Sequence, residues 1–297
     1  MGISHINNGR YRMTKGFKLF WMLVILLISS LSYADQKCPN ISANSGGQCI
    51  NVGAYELFMK VQGNKGPIVV FESGRGNGHD VWDKVAPEVS QFAKAVTYDR
   101  VNLSFSQNMP NNGEPVTAKQ VATNLHTLLH NAKLAPPYIL VGHSDGGMYV
   151  QMFSRLYPKE VAGVVFVDAA SPYQTFSGGL PAKNNASYAE SLGFLTSQQQ
   201  IKKAPSFPKI PIIVLTATYH GFKDPNAKLH SFLANGQPIT MTEAENQKAW
   251  GGWQDQIAKL SPYSMHIYAY DSDHYIQKYQ PNLVVDAIYT LIKQKKK

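Results

Sequence analysis

A serine lies between two glycines in the stretch "ILVGHSDGGMYVQ", at the spacing Gly142-x-Ser144-x-Gly146. The residues before it are typical of a strand and those after it of a helix. At such a strand-to-helix turn the hydroxyl is held above a helix N-terminus, whose N–H groups favour developing negative charge. Flanking glycines let the helix pass close. This context predicts a nucleophilic serine, and a small-residue turn with an idle serine is the alternative.

A nucleophilic serine needs a base, which in turn needs an acid to orient it. His274, in "YAYDSDHYIQKYQP", follows the last predicted strand and precedes the last predicted helix, a placement that the other histidines lack. His143, inside the turn, is expected to pack locally. The acid should be a carboxylate at a strand end. Asp168, ending "VVFVD", and Asp224, in the loop after the next strand, are the two candidates.

The elements that must position these residues can be read from apolar runs bounded by Gly, Pro or Asp. Between the runs lie helical patterns, including one after Ser144 and one at the C-terminus. Repeated alternation of this kind predicts a mainly parallel sheet with right-handed crossovers. The predicted strands are 55–63, 67–74, 94–100, 137–144, 163–169, 211–217 and 264–271.

Two connections, 170–210 and 218–263, are too long to be simple crossovers. We interpret 170–210 as a small lid over the site, with a plain surface excursion as the alternative. The aromatic residues in this connection suit an apolar acyl chain or pack the lid onto the body. They are Tyr173, Phe176, Tyr188 and Phe194.

The N-terminus has the pattern of a secretory signal peptide. Basic residues precede the apolar run "LFWMLVILLISSL", and "SYA" ends it, which predicts cleavage after Ala34; an uncleaved anchor is the alternative. Residues 35–54 then form an N-terminal segment before a domain at 55–297. Removing the four positive charges of the leader lowers the formal charge from +9 to +5, and four lysines of the tail carry most of the rest. A nucleic-acid partner is therefore not expected.

Both cysteines, Cys38 and Cys49, lie just beyond the predicted cleavage site. An even pair in an exported chain predicts one disulfide, with two free thiols as the alternative. Neither cysteine has histidine partners at zinc-ligand spacing, so we expect no metal and no cofactor.

From about residue 50 to the C-terminus the chain resembles the α/β-hydrolase superfamily. Within it, the chain is similar to bacterial exported serine hydrolases of the esterase or lipase type, through the ordered blocks "VVFESG", "YDR", "GHSDGG", "VFVDA" and "DHYIQ". The resemblance implies the α/β-hydrolase fold, with a mostly parallel central sheet flanked by helices and a small lid or cap insertion. The blocks do not specify a substrate.

The resemblance also implies roles for single residues. Ser144 matches the nucleophile and His274 the base, and the backbone N–H groups of Arg75 and Asp145 match the oxyanion hole. The Arg75 side chain is expected either to pair with Glu72 or to contact substrate.

For the acid, most members of the superfamily use the later of the two positions, within a short turn. Asp224 arrives several residues late in its loop, so we favour Asp168. Relatives also follow the "YDR" block with a glycine-rich turn, where this chain has Asn102 and Ser104. Asparagine tolerates left-handed geometry, so the turn is expected to survive.

The leading functional hypothesis is hydrolysis of a small uncharged carboxylic ester through an acyl-enzyme. A peptidase or amidase is the nearest alternative, and cofactor-free peroxidation or C–C cleavage uses the same residues. A non-catalytic binding protein on this scaffold is the alternative from another class. Asn102 begins an Asn-x-Ser triplet, which is an N-glycosylation signal only in a eukaryotic secretory route, and a glycan there would obstruct the site. We therefore expect a bacterial periplasmic or secreted protein, with no stable membrane span after cleavage. The oligomeric state stays open.

Overall fold

Strands and helices alternate along the chain, and the computed structural model describes residues 38, 45–109, 113–177, 180–218, 226–232 and 237–294. The strands are β1 (Gly47–Asn51), β2 (Glu56–Gln62), β3 (Ile68–Glu72), β4 (Lys94–Tyr98), β5 (Tyr138–His143), β6 (Val161–Val167), β7 (Phe176–Ser177), β8 (Ile212–Ala217), β9 (Lys228–Phe232), β10 (Pro238–Thr242) and β11 (Ser264–Ala269). The α-helices are α1 (Ala86–Ser90), α2 (Ala118–Asn131), α3 (Asp145–Leu156), α4 (Tyr188–Lys203), α5 (Glu243–Ala258), α6 (Ile276–Tyr279) and α7 (Pro281–Gln294).

Eight of these strands form one sheet in the order β1-β2-β4-β3-β5-β6-β8-β11. The pairs from β4 to β11 are parallel, and only β1 with β2 and β2 with β4 are antiparallel. The predicted mostly parallel sheet is therefore confirmed, and all seven predicted strands lie in it. The eighth strand, β1, comes from the segment predicted to precede the domain.

The central strands β3, β5, β6 and β8 are apolar along most of their length because helices cover both faces of the sheet there. Val70 and Leu140 join the core that α2 and α3 cover, whereas Val69 and Val141, their neighbours in sequence, join the core that α1 and α7 cover. Successive side chains of a strand point to opposite faces, so each strand needs two sets of buried apolar residues.

The two long connections share a second, smaller sheet. The connection 170–210 contributes β7 and the connection 218–263 contributes β9 and β10, which form an antiparallel sheet in the order β10-β9-β7. The same connections carry α4 and α5. Helix α4 docks on the start of α2, where the Ser197 hydroxyl accepts the Ala118 N–H at 2.8 Å.

Cys38 and Cys49 form the predicted disulfide, with their Cα atoms 6.3 Å apart. Disulfides persist mainly in oxidising compartments. In the part of the chain that the structure describes, no helix is long and apolar enough to span a membrane. The predicted leader, residues 1–34, and the alternative acid Asp224 lie outside the described residues.

Candidate active site

Ser144 occupies a strained turn between β5 and α3. Its backbone has φ 52° and ψ −126°, a region that residues with a side chain rarely adopt. The turn brings the helix so close to β3 that a Cβ on Gly146 would lie 2.4 Å from the carbonyl oxygen of Glu72. Only glycine fits there. Strain of this kind is concentrated at functional sites, where the surrounding structure maintains it.

The structure brings Ser144, His274 and Asp168 together, although they come from three different strand ends. The Ser144 hydroxyl lies 2.9 Å from Nε2 of His274, and Nδ1 of the same ring lies 2.7 Å from Oδ2 of Asp168. Asp168 follows β6 directly and its side chain is fully buried. A continuous hydrogen-bonded chain therefore links the serine hydroxyl to a buried carboxyl group.

The second oxygen of Asp168 is held by two donors. Oδ1 accepts the backbone N–H of Ala217 at 3.0 Å and the indole N–H of Trp250 at 2.9 Å. The Trp250 ring also stands edge-on to the His274 ring, with the ring centroids 5.7 Å apart. Trp250 lies on α5, in the second long connection, so an element outside the main sheet orients the carboxyl group.

His143, expected to pack locally, supports the backbone of His274. Its ring is buried, and Nε2 lies 2.9 Å from the carbonyl oxygen of His274. Burial lowers the pKa of His143 well below its ordinary value of 6.5. The ring is therefore neutral near pH 7, with its proton on Nε2, and it donates to that carbonyl.

The two residues expected to supply oxyanion donors, Arg75 and Asp145, line the same cavity as Ser144 and His274. Their side chains pair with each other, since Nε of Arg75 donates to Oδ2 of Asp145 at 2.6 Å. The guanidinium of Arg75 also lies over the buried ring of Phe194, 4.6 Å from its centroid. Of the two alternatives for the Arg75 side chain, pairing with Glu72 is wrong.

Glu72 pairs instead with Arg100, and both side chains are buried. Nη1 of Arg100 donates to Oε1 of Glu72 at 2.6 Å, and the hydroxyl of Tyr98 donates to Oε2. Burial raises the pKa of Glu72 to about 7, although the nearby Arg100 cation opposes this rise.

Arg100 also fixes the loop that carries Arg75. It donates to the carbonyl oxygens of Ser73 and Gly74, each at 2.8 Å. Its Nε donates to Oε1 of Glu190 on α4 at 2.6 Å, and Oε2 of Glu190 accepts the Gly76 N–H at 2.7 Å. The loop is therefore held from both sides by one buried cation and one buried anion.

Ser144 opens into a cavity of about 450 Å³. Of the four aromatic residues that suit either an acyl chain or packing of the lid, Phe194 is buried in the core, and Tyr173 and Tyr188 line other cavities. The Phe176 side chain lies outside the described part of the structure. The turn after the "YDR" block does adopt left-handed geometry, with φ 68° at Asn102. Within the described residues no group of three or more His, Cys, Asp or Glu side chains could hold a metal ion.

Comparisons with known proteins identify the fold that carries this site. A family model described as "alpha/beta hydrolase fold" matches residues 67–209. The chain is 25% identical over 236 residues to the uncharacterized protein YqjL of Bacillus subtilis, a match that covers 77% of this chain and 84% of that protein. It is 33% identical over 141 residues to a Hormonema carpetanum protein named "Probable transporter efuK", covering 46% of this chain but only 20% of that protein.

Among solved structures, a thermophilic esterase from Thermogutta terrifontis superposes with a TM-score of 0.57 at 16% identity. The superposition covers 84% of this chain and 98% of the esterase. At this identity the likeness concerns the fold alone. The chain has the α/β-hydrolase fold, and this fold supports hydrolytic activity.

Proposed function

We propose that the protein is an exported serine hydrolase that cleaves small uncharged carboxylic esters. The observation that carries this proposal is the hydrogen-bonded chain from the Ser144 hydroxyl through His274 to Asp168, with distances of 2.9 and 2.7 Å. The position of Ser144 at a strained turn beside a cavity also supports the proposal. The Cys38–Cys49 disulfide supports export to an oxidising compartment, in a bacterium the periplasm or the medium.

In the proposed reaction Oγ of Ser144 attacks the ester carbonyl carbon while Nε2 of His274 takes the hydroxyl proton. Asp168 holds the imidazole with Nδ1 protonated and stabilises the cation that forms. The carbonyl oxygen becomes an oxyanion, which the backbone N–H groups of Arg75 and Asp145 would stabilise. His274 then gives its proton to the departing alcohol, which leaves an acyl-enzyme.

Water completes the cycle. His274 takes a proton from water as the water oxygen attacks the acyl carbon, and the acid product leaves when Ser144 regains its proton. The buried contacts of Arg100 and Glu190 keep the Arg75 loop in place during both steps, so the oxyanion donors need little reorganisation.

The proposal is tested with 4-nitrophenyl butanoate and its amide counterpart, butanoyl 4-nitroanilide. We expect faster release from the ester, because an amine leaving group needs protonation by His274. Ser144→Ala should lower kcat by at least about 10⁴. Faster release from the anilide would favour an amidase, and turnover that survives Ser144→Ala would contradict the serine mechanism.

A further inference from the structure

The cavity beside Ser144 has amide and aromatic walls. Among the described residues that line it, none carries an aliphatic side chain. The amide and aromatic walls are formed by the carboxamides Asn77, Gln174, Asn246 and Gln247 and by the aromatic residues Trp250 and Tyr275. The apolar surface that an acyl chain would meet in this wall is therefore aromatic, from Trp250 and Tyr275, and the rest of the wall is polar.

The carboxamides have hydrogen-bonding capacity to spare. The side chains of Asn77, Asn246 and Gln247 make no hydrogen bond to another residue in the described part of the chain. In Gln174 the oxygen Oε1 accepts the Ser171 N–H at 2.9 Å, which fixes the amide while its NH₂ group keeps two donors. Each carboxamide both donates and accepts, so these groups suit a ligand that does the same.

The fold holds these groups beside the reacting serine. Asn246, Gln247 and Trp250 lie within about one turn of α5, and the Trp250 indole is bonded to Asp168. Gln174 comes from the other long connection, where its carbonyl oxygen accepts the Gln198 side-chain amide at 2.6 Å. Both long connections thus contribute carboxamides to one cavity.

The cavity wall carries compensated charge. The Arg75 guanidinium and the Asp145 carboxylate are 2.6 Å apart, and only 4% of the Asp145 side chain is exposed. An unpaired Asp145 carboxylate would repel anionic ligands, and its pairing with Arg75 removes this repulsion. The fields of two opposite charges in contact largely cancel, so the pair attracts neither anions nor cations strongly. The lining therefore selects by hydrogen bonding and shape.

We propose that this cavity binds a small neutral group rich in hydroxyls, of the size of one sugar ring, as one half of the ester substrate. Hydroxyls donate and accept like the carboxamides that face them. The C–H faces of such a ring would pack on Trp250 and Tyr275, whose rings provide apolar surface with a polar edge. A cavity of about 450 Å³ has the size of ordinary small-molecule sites. The inference rests on the proposed ester hydrolysis and narrows its substrate class.

Two acetates test this inference, one with a hydroxylated six-membered ring and one with a hydrocarbon six-membered ring. Methyl 6-O-acetyl-glucopyranoside and cyclohexylmethyl acetate share the acetyl group and a primary alcohol on a six-membered ring. We expect kcat/KM to be at least about tenfold higher for the sugar acetate, because two or more hydrogen bonds contribute about threefold to tenfold each. Acetate release measures both reactions.

Substitutions of lining residues test whether the preference for the sugar acetate arises in this cavity. Asn246→Leu and Gln247→Leu should each lower the ratio of the two kcat/KM values about threefold to tenfold. Gln48→Leu is the matched control. Gln48 is exposed on β1, the edge strand at the end of the sheet opposite β11, so this variant should leave the ratio unchanged. Thermal unfolding shows that each variant is folded.

A preference for cyclohexylmethyl acetate, or a ratio that neither variant lowers, would overturn the inference. The inference also fails if neither acetate reacts while 4-nitrophenyl acetate is hydrolysed in a Ser144-dependent way, and in that case the proposed function stands. If no ester of any kind is hydrolysed, the proposed function fails as well.

Discussion

Glu72 offers a direct test of the buried charge network beneath the Arg75 loop. The glutamate is completely buried, and burial raises its pKa from 4.5 to about 7. The unfolded chain therefore releases the Glu72 proton near pH 4.5, whereas the folded protein keeps it until about pH 7. Because the folded state holds more protons across this window, the free energy of unfolding falls as the pH rises through it.

The size of this fall follows from the pKa difference. One pKa unit corresponds to about 1.4 kcal/mol, so between pH 5 and pH 8 the wild-type protein should lose about 2 to 3 kcal/mol through Glu72. In Glu72→Gln the side chain cannot ionise, and one acceptor oxygen remains for Arg100. The variant should lack this part of the pH dependence, whatever its absolute stability.

Urea unfolding of both proteins at pH 5 and pH 8 measures the effect. The other titrating groups contribute equally and cancel when the two pH differences are subtracted. Glu88→Gln, which removes an exposed carboxylate from α1, is the control and should match the wild-type protein. If wild type and Glu72→Gln show the same pH dependence, Glu72 is already ionised in the folded protein at pH 5 and the reasoning is refuted.

Three further substitutions test how the carboxyl group of Asp168 is held and whether it is the acid that His274 uses. Trp250→Phe keeps an aromatic ring but removes a donor to a buried acid, a hydrogen bond of about 1.5 to 3 kcal/mol. The value of kcat for 4-nitrophenyl butanoate should therefore fall about tenfold or more, and an unchanged kcat would show that the indole N–H has no such role. Asp168→Asn should favour the wrong imidazole tautomer and lower kcat by up to about 10⁴, whereas Asp224→Asn should cost little. A severe loss for Asp224→Asn alone would reverse this assignment.

The sheet was predictable because its signal is local. Strands covered on both faces are rich in apolar residues, and each of the seven runs predicted from the sequence is a strand of the central sheet. Ser144, His274 and Asp168 were selected for the same reason, since each sits beside a strand end that the sequence reveals.

The rest of the site depends on contacts between distant segments. Trp250 and Glu190 reach the site from the two long connections, and no local pattern indicates which part of those connections folds over Ser144. The sequence left open whether Arg75 pairs with Glu72. It does not, because Glu72 ends a buried strand beside Arg100, whereas Arg75 lies in the following loop and pairs with Asp145. The aromatic composition of the connection likewise does not determine whether Phe194 lines the cavity or packs in the core, where the structure places it.

The central claim is that Ser144 is a nucleophile activated by His274, and covalent labelling tests it most directly. A fluorophosphonate probe reacts with an activated serine that has oxyanion donors beside it, and peptide mass spectrometry locates the adduct. The wild-type protein should take up one probe molecule, on Ser144, and both Ser144→Ala and His274→Ala should remain unlabelled. Folded wild-type protein that stays unlabelled, or an adduct that persists in Ser144→Ala, would contradict the claim.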